Sequence, residues 1–327
     1  MTQPEPLAPL PLVTTYDAVA GVPWVYDDLV TCVVAPNPGP FTFLGTNTYV
    51  IGRDVLALID PGPDDEAHHA SLLAAIDGRA VSHVFVTHTH RDHSPLATKM
   101  ARELDAELVG CGPHPEPRFR PPVEPTPDPT NEEDSDTAPE KGEGGDREYR
   151  PDRQLLHGDR VVGDGWTVEA LHTPGHISNH LCYALVGRDL VFTGDHIMGW
   201  STSVISPAEG DLGDFLRSCE LLLSRSERTY LSAHGAPITD PHALVRAFMD
   251  HRRGRSQQIL TVLRERDGDL LDLGDFVTAM YPGLDERLVK AAKGSVLAHL
   301  IDLRSNGFIE IVGALGTDAT FRRTDWC

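Results

Sequence analysis

Thr87-His88-Thr89-His90-Arg91-Asp92-His93-Ser94 is the stretch from which the rest of the chain is read. It has the form HxHxDH and follows directly on a short apolar run of strand type, His83 to Val86. Four ligand-type side chains within six residues, placed at a strand end, project from a single loop. Neutral imidazoles beside a carboxylate suit Zn²⁺ or a similar divalent ion. With 16 histidines in 327 residues, composition alone yields on the order of 0.004 such stretches per chain. A chance His-rich turn is therefore set aside.

One loop cannot complete the shells of two metals, so further ligands have to come from other segments. Three candidates stand where a strand pattern gives way to a loop: His176 in Leu171-His172-Thr173-Pro174-Gly175-His176, Asp195 in Phe192-Thr193-Gly194-Asp195-His196, and His234 in Leu231-Ser232-Ala233-His234-Gly235. A lone His or Asp in a loop is a weak signal, but the repeated placement raises the three together. His180, four residues after His176, is a candidate proton donor to the substrate, with packing beside the site as the equal alternative. For His196, packing is the favoured reading, and Trp200 either lines a pocket or joins the core. His172 reads as a strand-end residue. His68, His69, His83, His114, His157, His242, His251 and His299 have no partner pattern.

The segments HxHxDH, HTPGH, TGD and AHG, in this order, resemble the metallo-β-lactamase superfamily over approximately residues 30 to 240. That resemblance implies an α/β fold, an αββα sandwich with a dinuclear site between its sheets. Carried over residue by residue, it implies that His88, His90 and His176 hold one metal, that Asp92, His93 and His234 hold the other, and that Asp195 bridges them. It implies two divalent ions, Zn²⁺ first, although an all-His/Asp set also accepts Fe or Mn. Asp92, the only carboxylate of the first loop, is expected both to ligate and to orient the nucleophile. Further on, His251-Arg252-Arg253, Gln257-Gln258-Ile259-Leu260, Met280-Tyr281-Pro282 and Ala298-His299-Leu300 resemble the winged-helix extension of the β-lactamase-like protein 2 family. That family includes an endoribonuclease acting on single-stranded RNA.

Outward from the motif, residues 41 to 60 show β-rich runs on both sides of Gly52-Arg53-Asp54, which predicts a hairpin ending at Asp60-Pro61-Gly62. Helices are expected over Glu66 to Ile76, Pro95 to Leu104, Leu212 to Ser224, Pro241 to Arg266 with a bend at Gly254, Leu273 to Met280 and Glu286 to Arg304. Strands are expected at Glu107 to Val109, Trp166 to Leu171, Leu181 to Val186, Leu190 to Thr193, Thr229 to Ser232 and the FIEIV run after Asn306-Gly307. This order suits two sheets with helices outside them. Residues 112 to 150 hold 9 of the 26 prolines and 11 acidic against 5 basic side chains, and read as a solvated or disordered insertion, or as a lid. The expected division is an N-terminal extension over 1–29, a catalytic domain over 30–240 and a helical, winged-helix-like domain over 241–327.

The formal charge of −21 disfavours broad phosphate-backbone binding. Residues 251 to 327 carry 11 basic and 11 acidic side chains, so the whole excess lies in the first 250 residues. Five scattered cysteines without a CxxC pair argue against a disulfide framework or a thiolate zinc site. No apolar run approaches the roughly 18 residues of a membrane span. MTQPEPLAPLPLVTTYD lacks the basic start of a secretory signal, and a cytoplasmic location is expected.

The leading expectation is a zinc-dependent hydrolase of a small ester, thioester, lactone or amide. The second is a phosphodiesterase cutting single-stranded RNA, with Arg252, Arg253 and Arg255 or the tail helices touching phosphates. The third is a nucleic-acid-binding regulator acting through the winged helix, disfavoured by the balanced tail. Dimerisation or covering of the pocket suits that module better. A glyoxalase II ranks low because its helical glutathione-binding tail is not read here, and a true β-lactamase lower still.

Overall fold

Strands that read as continuous apolar runs are those buried on both faces, and the computed structural model, which describes residues 7–118, 144–313, 315 and 319–324, places them so. Seven strands form the first sheet: β1 (Trp24–Val25), β2 (Val30–Val34), β3 (Asn47–Ile51), β4 (Val55–Ile59), β5 (Ala80–Phe85), β6 (Glu107–Gly110) and β7 (Arg153–Gln154). They lie in chain order, antiparallel from β1 to β4 and parallel from β4 to β7. Helices α1 (Glu66–Ile76) and α2 (Pro95–Glu103) make the crossovers between parallel neighbours. The second sheet contains β8 (Arg160–Val162), β9 (Thr167–His172), β10 (Leu181–Leu185), β11 (Leu190–Gly194) and β12 (Thr229–Ser232). It is antiparallel except for β11 and β12, which α3 (Leu212–Leu223) connects in parallel.

Side-chain alternation sorts the strand residues into layers. Leu181, Tyr183 and Leu185 of β10 meet Tyr49, Ile51 and Phe85 in the core between the sheets, while Cys182 and Ala184 face Phe215 and Cys219 of α3. On the other side, Leu56 and Leu58 of β4 pack with Leu72 and Ile76 of α1 and with Met100 of α2. The architecture is the expected αββα sandwich.

The tail begins with α4 (Pro241–Glu265), followed by α5 (Leu273–Met280), a 3₁₀ turn at Glu286–Leu288, α6 (Val289–Ser305) and the ribbon β13 (Ile309–Val312) and β14 (Thr320–Arg323). Asp240, Asp272 and Asp211 cap α4, α5 and α3, and Asp272 completes a capping box with Asp275. Leu244, Val245 and Phe248 of α4 pack on the sandwich, whereas Ile259, Val262 and Leu263 enter the core of the tail with Phe276, Leu300 and Phe321. One helix thus serves both cores.

α4 runs unbroken through Gly254. What the glycine supplies is room: a Cβ there would stand 2.5 Å from a methyl of Leu7, where the N-terminal segment crosses the helix. Of the Pro- and acid-rich stretch, residues 119–143, with most of the expected disorder or lid, lie outside the described residues. Its two flanks are packed: Tyr149 is buried against the first sheet, and Arg118 N–H donates to Ala208 O at 2.7 Å.

Candidate metal centre

The C-terminal ends of β4, β5, β9, β11 and β12 and their following loops meet along one edge of the sandwich, where seven side chains converge. His88, His90 and His176 present one ligand atom each within 4.8 Å of one another, and so do Asp92, His93, Asp195 and His234. His90, the most open of the seven, is 8% exposed, while His93 and His234 are fully buried. A Cβ on Gly194, whose φ is +49°, would collide with His180 Nε2 and Thr87 Oγ1, which is why the strand can turn there to present Asp195.

The outer nitrogen of every imidazole is held from behind, which assigns the tautomers. His93 Nδ1 donates to Asp60 Oδ2 at 3.0 Å, His176 Nδ1 to Val204 O at 2.6 Å and His234 Nδ1 to Gly45 O at 3.2 Å. His90 Nε2 donates to Glu209 at 3.1 Å. Thr87 Oγ1 gives its own proton to Asp60 and accepts from His88 Nδ1 at 3.1 Å. The inner nitrogens are therefore bare lone pairs. His88 Nε2 and His176 Nε2 both lie 2.9 Å from His90 Nδ1, a crowding of acceptors that only a cation makes favourable.

The second cluster poses the same question. His234 Nε2 lies 3.2 Å from Asp92 Oδ2 and 3.3 Å from Asp195 Oδ1, and His93 Nε2 lies 3.3 Å from Asp92. His93 Nε2, His234 Nε2 and Asp195 Oδ1 are buried atoms without a hydrogen-bond partner, a costly condition unless a ligand satisfies them. Burial disfavours an imidazolium here, yet the carboxylates of Asp195 and Asp92 outweigh it and raise His234 to about 9. His93 is pushed well above 6.5 in the same way. The cluster attracts positive charge strongly, and with two carboxylates beside five imidazoles the donors fit a pair of divalent cations.

All seven residues expected as ligands are thus brought together. His180 stands behind them. Its Nε2 accepts the backbone N–H of Asp195 at 3.2 Å and its Nδ1 meets Thr173 Oγ1 at 2.9 Å, so both ring nitrogens are engaged inside the protein. Burial holds its pKa well below 6.5. His196 is buried against Phe215, as its packing reading expects. His172 ends β9, exposed. Trp200 stacks on Phe43 at 5.1 Å and abuts Gly235, next to His234.

Arg252 overturns an expectation. It is buried rather than free to meet phosphate: its Nη2 donates to Ser203 O at 2.5 Å and its guanidinium lies over the Phe215 ring. The helix face it occupies is the one that α4 packs on the sandwich. Arg255 lies over Tyr281, and Arg253 stands exposed near Glu220 and Asp250.

Three residues of the centre were not anticipated. Asp60 takes three donors, including Thr87 N–H at 2.7 Å; an acid closing the apolar run VLALID was its available signal. Glu209 and His114 carried none.

A profile of the Metallo-beta-lactamase superfamily matches residues 41–245, and one of the Beta-lactamase associated winged helix domain matches residues 273–314. The chain belongs to the metallo-beta-lactamase superfamily. As expected of that superfamily, it is a metal-dependent hydrolase, with a winged helix at its C-terminal end. It is 32% identical to an atrochrysone carboxyl ACP thioesterase of Claviceps purpurea over 258 residues, covering 76% of this chain and 71% of that protein. It is 28% identical to a beta-lactamase-like protein 2 homolog of Drosophila melanogaster over 288 residues, 85% of this chain and 89% of the relative. A beta-lactamase domain protein from Burkholderia ambifaria shares the fold with a TM-score of 0.72 at 19% identity, covering 94% of this chain and 96% of its own. No helix among the described residues is long and apolar enough to cross a membrane.

Proposed function

We propose that this superfamily member hydrolyses a small acyl thioester at a dinuclear zinc centre. The observation that carries the chemistry is the convergence of seven ligand-type atoms, five of them imidazole nitrogens turned inward by outer partners. Several similar relatives bear the name of acyl-carrier-protein thioesterases, which supports a thioester over an ester, lactone or amide.

Two divalent ions at the centre would supply Lewis acidity towards the acyl carbonyl and bring the pKa of the attacking water near neutrality. The chain does the rest. Asp92, at the inner end of the first loop, orients that water and receives its proton. Asp195 contributes the negative charge that keeps two cations close together. Asp60 and the backbone carbonyls of Val204 and Gly45 hold the imidazoles so that no reorganisation is needed during turnover. His180, with both nitrogens committed, positions Asp195 through its backbone N–H and is not the acid in this mechanism. Phe43 and Trp200 give the mouth an apolar wall beside His234.

Metal content of the purified chain and hydrolysis of an acyl thioester, a lactone, a β-lactam and a labelled single-stranded RNA, assayed in parallel, test the reading. Two ions per chain and thioester cleavage are expected. Turnover of RNA alone would reject it, and so would thioester turnover that survives exhaustive chelation.

A further inference from the structure

Apart from the seven ligands, one carboxylate reaches the three-histidine cluster from outside. Glu209, between β11 and α3, accepts from His90 Nε2 on Oε2 at 3.1 Å and lies 3.3 Å from His114 Nε2 through Oε1. An ionised carboxylate only accepts, so both Nε2 atoms carry the proton. His90 Nδ1 is then bare towards the centre, and His114 Nδ1 accepts from Thr89 Oγ1 at 2.9 Å. Thr89 Oγ1 accepts in turn from Asn179 Nδ2 at 2.9 Å. The chain of bonds has one consistent direction and leaves no donor facing a donor. Hydrogen bonds from His114 and His90 hold the Glu209 carboxyl well below the usual range.

The His114 side chain is only 2% exposed, and it is seated by the other flank of the Pro- and acid-rich stretch. Gly145 makes a bridge with His90, Arg91 N–H donates to Gly144 O at 2.9 Å, and Asp146 N–H donates to Thr89 O at 2.8 Å. A Cβ on Gly145 would fall 2.0 Å from His114 Nε2, so a glycine is what lets the backbone lie against that ring.

We propose that Glu209 is a positioning residue for the three-histidine metal site, joining His90 to His114 so that cation affinity there depends on how the His114 segment is seated. The inference rests on reading the two clusters as metal sites. Loss of an outer partner of a ligating imidazole typically costs 10- to 100-fold in metal affinity.

The test uses the full chain loaded with Zn²⁺ or Co²⁺, titrated with a chelator while metal per chain and the Co²⁺ absorption bands are followed. Glu209→Ala is expected to weaken one of the two ions about 10- to 100-fold and leave the other unchanged, with altered Co²⁺ bands. Glu209→Gln, which keeps an acceptor for one imidazole, falls between it and the wild type. His114→Ala and Gly145→Ala shift the same ion in the same direction by less. Melting of the metal-free proteins separates misfolding from lost affinity; if Glu209→Ala does not fold, His114→Ala and Gly145→Ala decide. Wild-type affinity for both ions in Glu209→Ala and His114→Ala, or equal weakening of both ions, would overturn the proposal alone. A wild-type chain that binds no divalent cation would overturn the proposed function with it.

Discussion

Asp92 and His88 stand on one footing at the candidate metal centre and Asp60 on another. On the proposed function Asp92 and His88 hold the metals, so Asp92→Asn and His88→Ala are expected to abolish most hydrolysis while the melting temperature of the metal-free protein changes little. Turnover near the wild-type value in either variant would contradict their assignment. Asp60 behaves differently because it satisfies Thr87 N–H, Thr87 Oγ1 and His93 Nδ1 at once. Asp60→Ala leaves those donors buried and unpaired, at about 1–3 kcal/mol each, and frees the His93 ring. Denaturation of the metal-free variant should therefore show a loss of several kcal/mol on the same scale, beside weaker metal binding.

At the level of elements, α4 ties the tail to the centre. Arg252 donates to Ser203 O, Ser203 Oγ donates to the carbonyls of Asp195 and His196, and the neighbouring Val204 O holds His176. Arg252→Met keeps most of the volume and removes the hydrogen bond together with the charge over Phe215. It should cost about 1–3 kcal/mol in urea denaturation and lower turnover, and an unchanged midpoint would show that the guanidinium is dispensable. Between α4 and α6, His299 Nδ1 meets Ser256 Oγ at 2.9 Å. Burial, then the nearby charge of Arg252, His251 and Arg255, lowers its pKa to about 3. Folded His299 stays neutral while the unfolded residue takes up a proton near 6.5. Its contribution is therefore complete above pH 6.5 and declines as pH falls towards about 3. His299→Gln should flatten the acid limb of the stability curve by one proton, about 1.4 kcal/mol per pH unit. An unaltered slope between pH 6 and pH 4 would count against it.

Across the whole molecule, the N-terminal segment acts as a strap. Leu7 lies over Gly254, Leu10 and Leu12 pack against the core of the second sheet and its helices, and Val13 N–H donates to Gly199 O at 2.8 Å. Leu10→Ala combined with Leu12→Ala should cost about 2 kcal/mol, less than two fully buried leucines would, measured by urea denaturation. The sandwich, and the seven side chains that converge at its edge, were legible in the sequence. Runs such as VLALID and LVFTGD announce strands buried on both faces, and the lone pair of an imidazole or carboxylate belongs to the residue wherever it lies. A strand-end His or Asp therefore advertises its chemistry locally. Partnership does not work that way. Asp60 with His93, Glu209 with His90 and Arg252 with Ser203 are donor–acceptor matches between segments far apart in the chain. Nothing in the periodicity of one segment encodes which polar atom of another will face it. Only packing of the two sheets and the shared helix decided those pairs, along with the commitment of both His180 nitrogens inward and the burial of Arg252, because hydrogen bonds need positions to within a few tenths of an ångström, whereas apolar patterning needs only the right face.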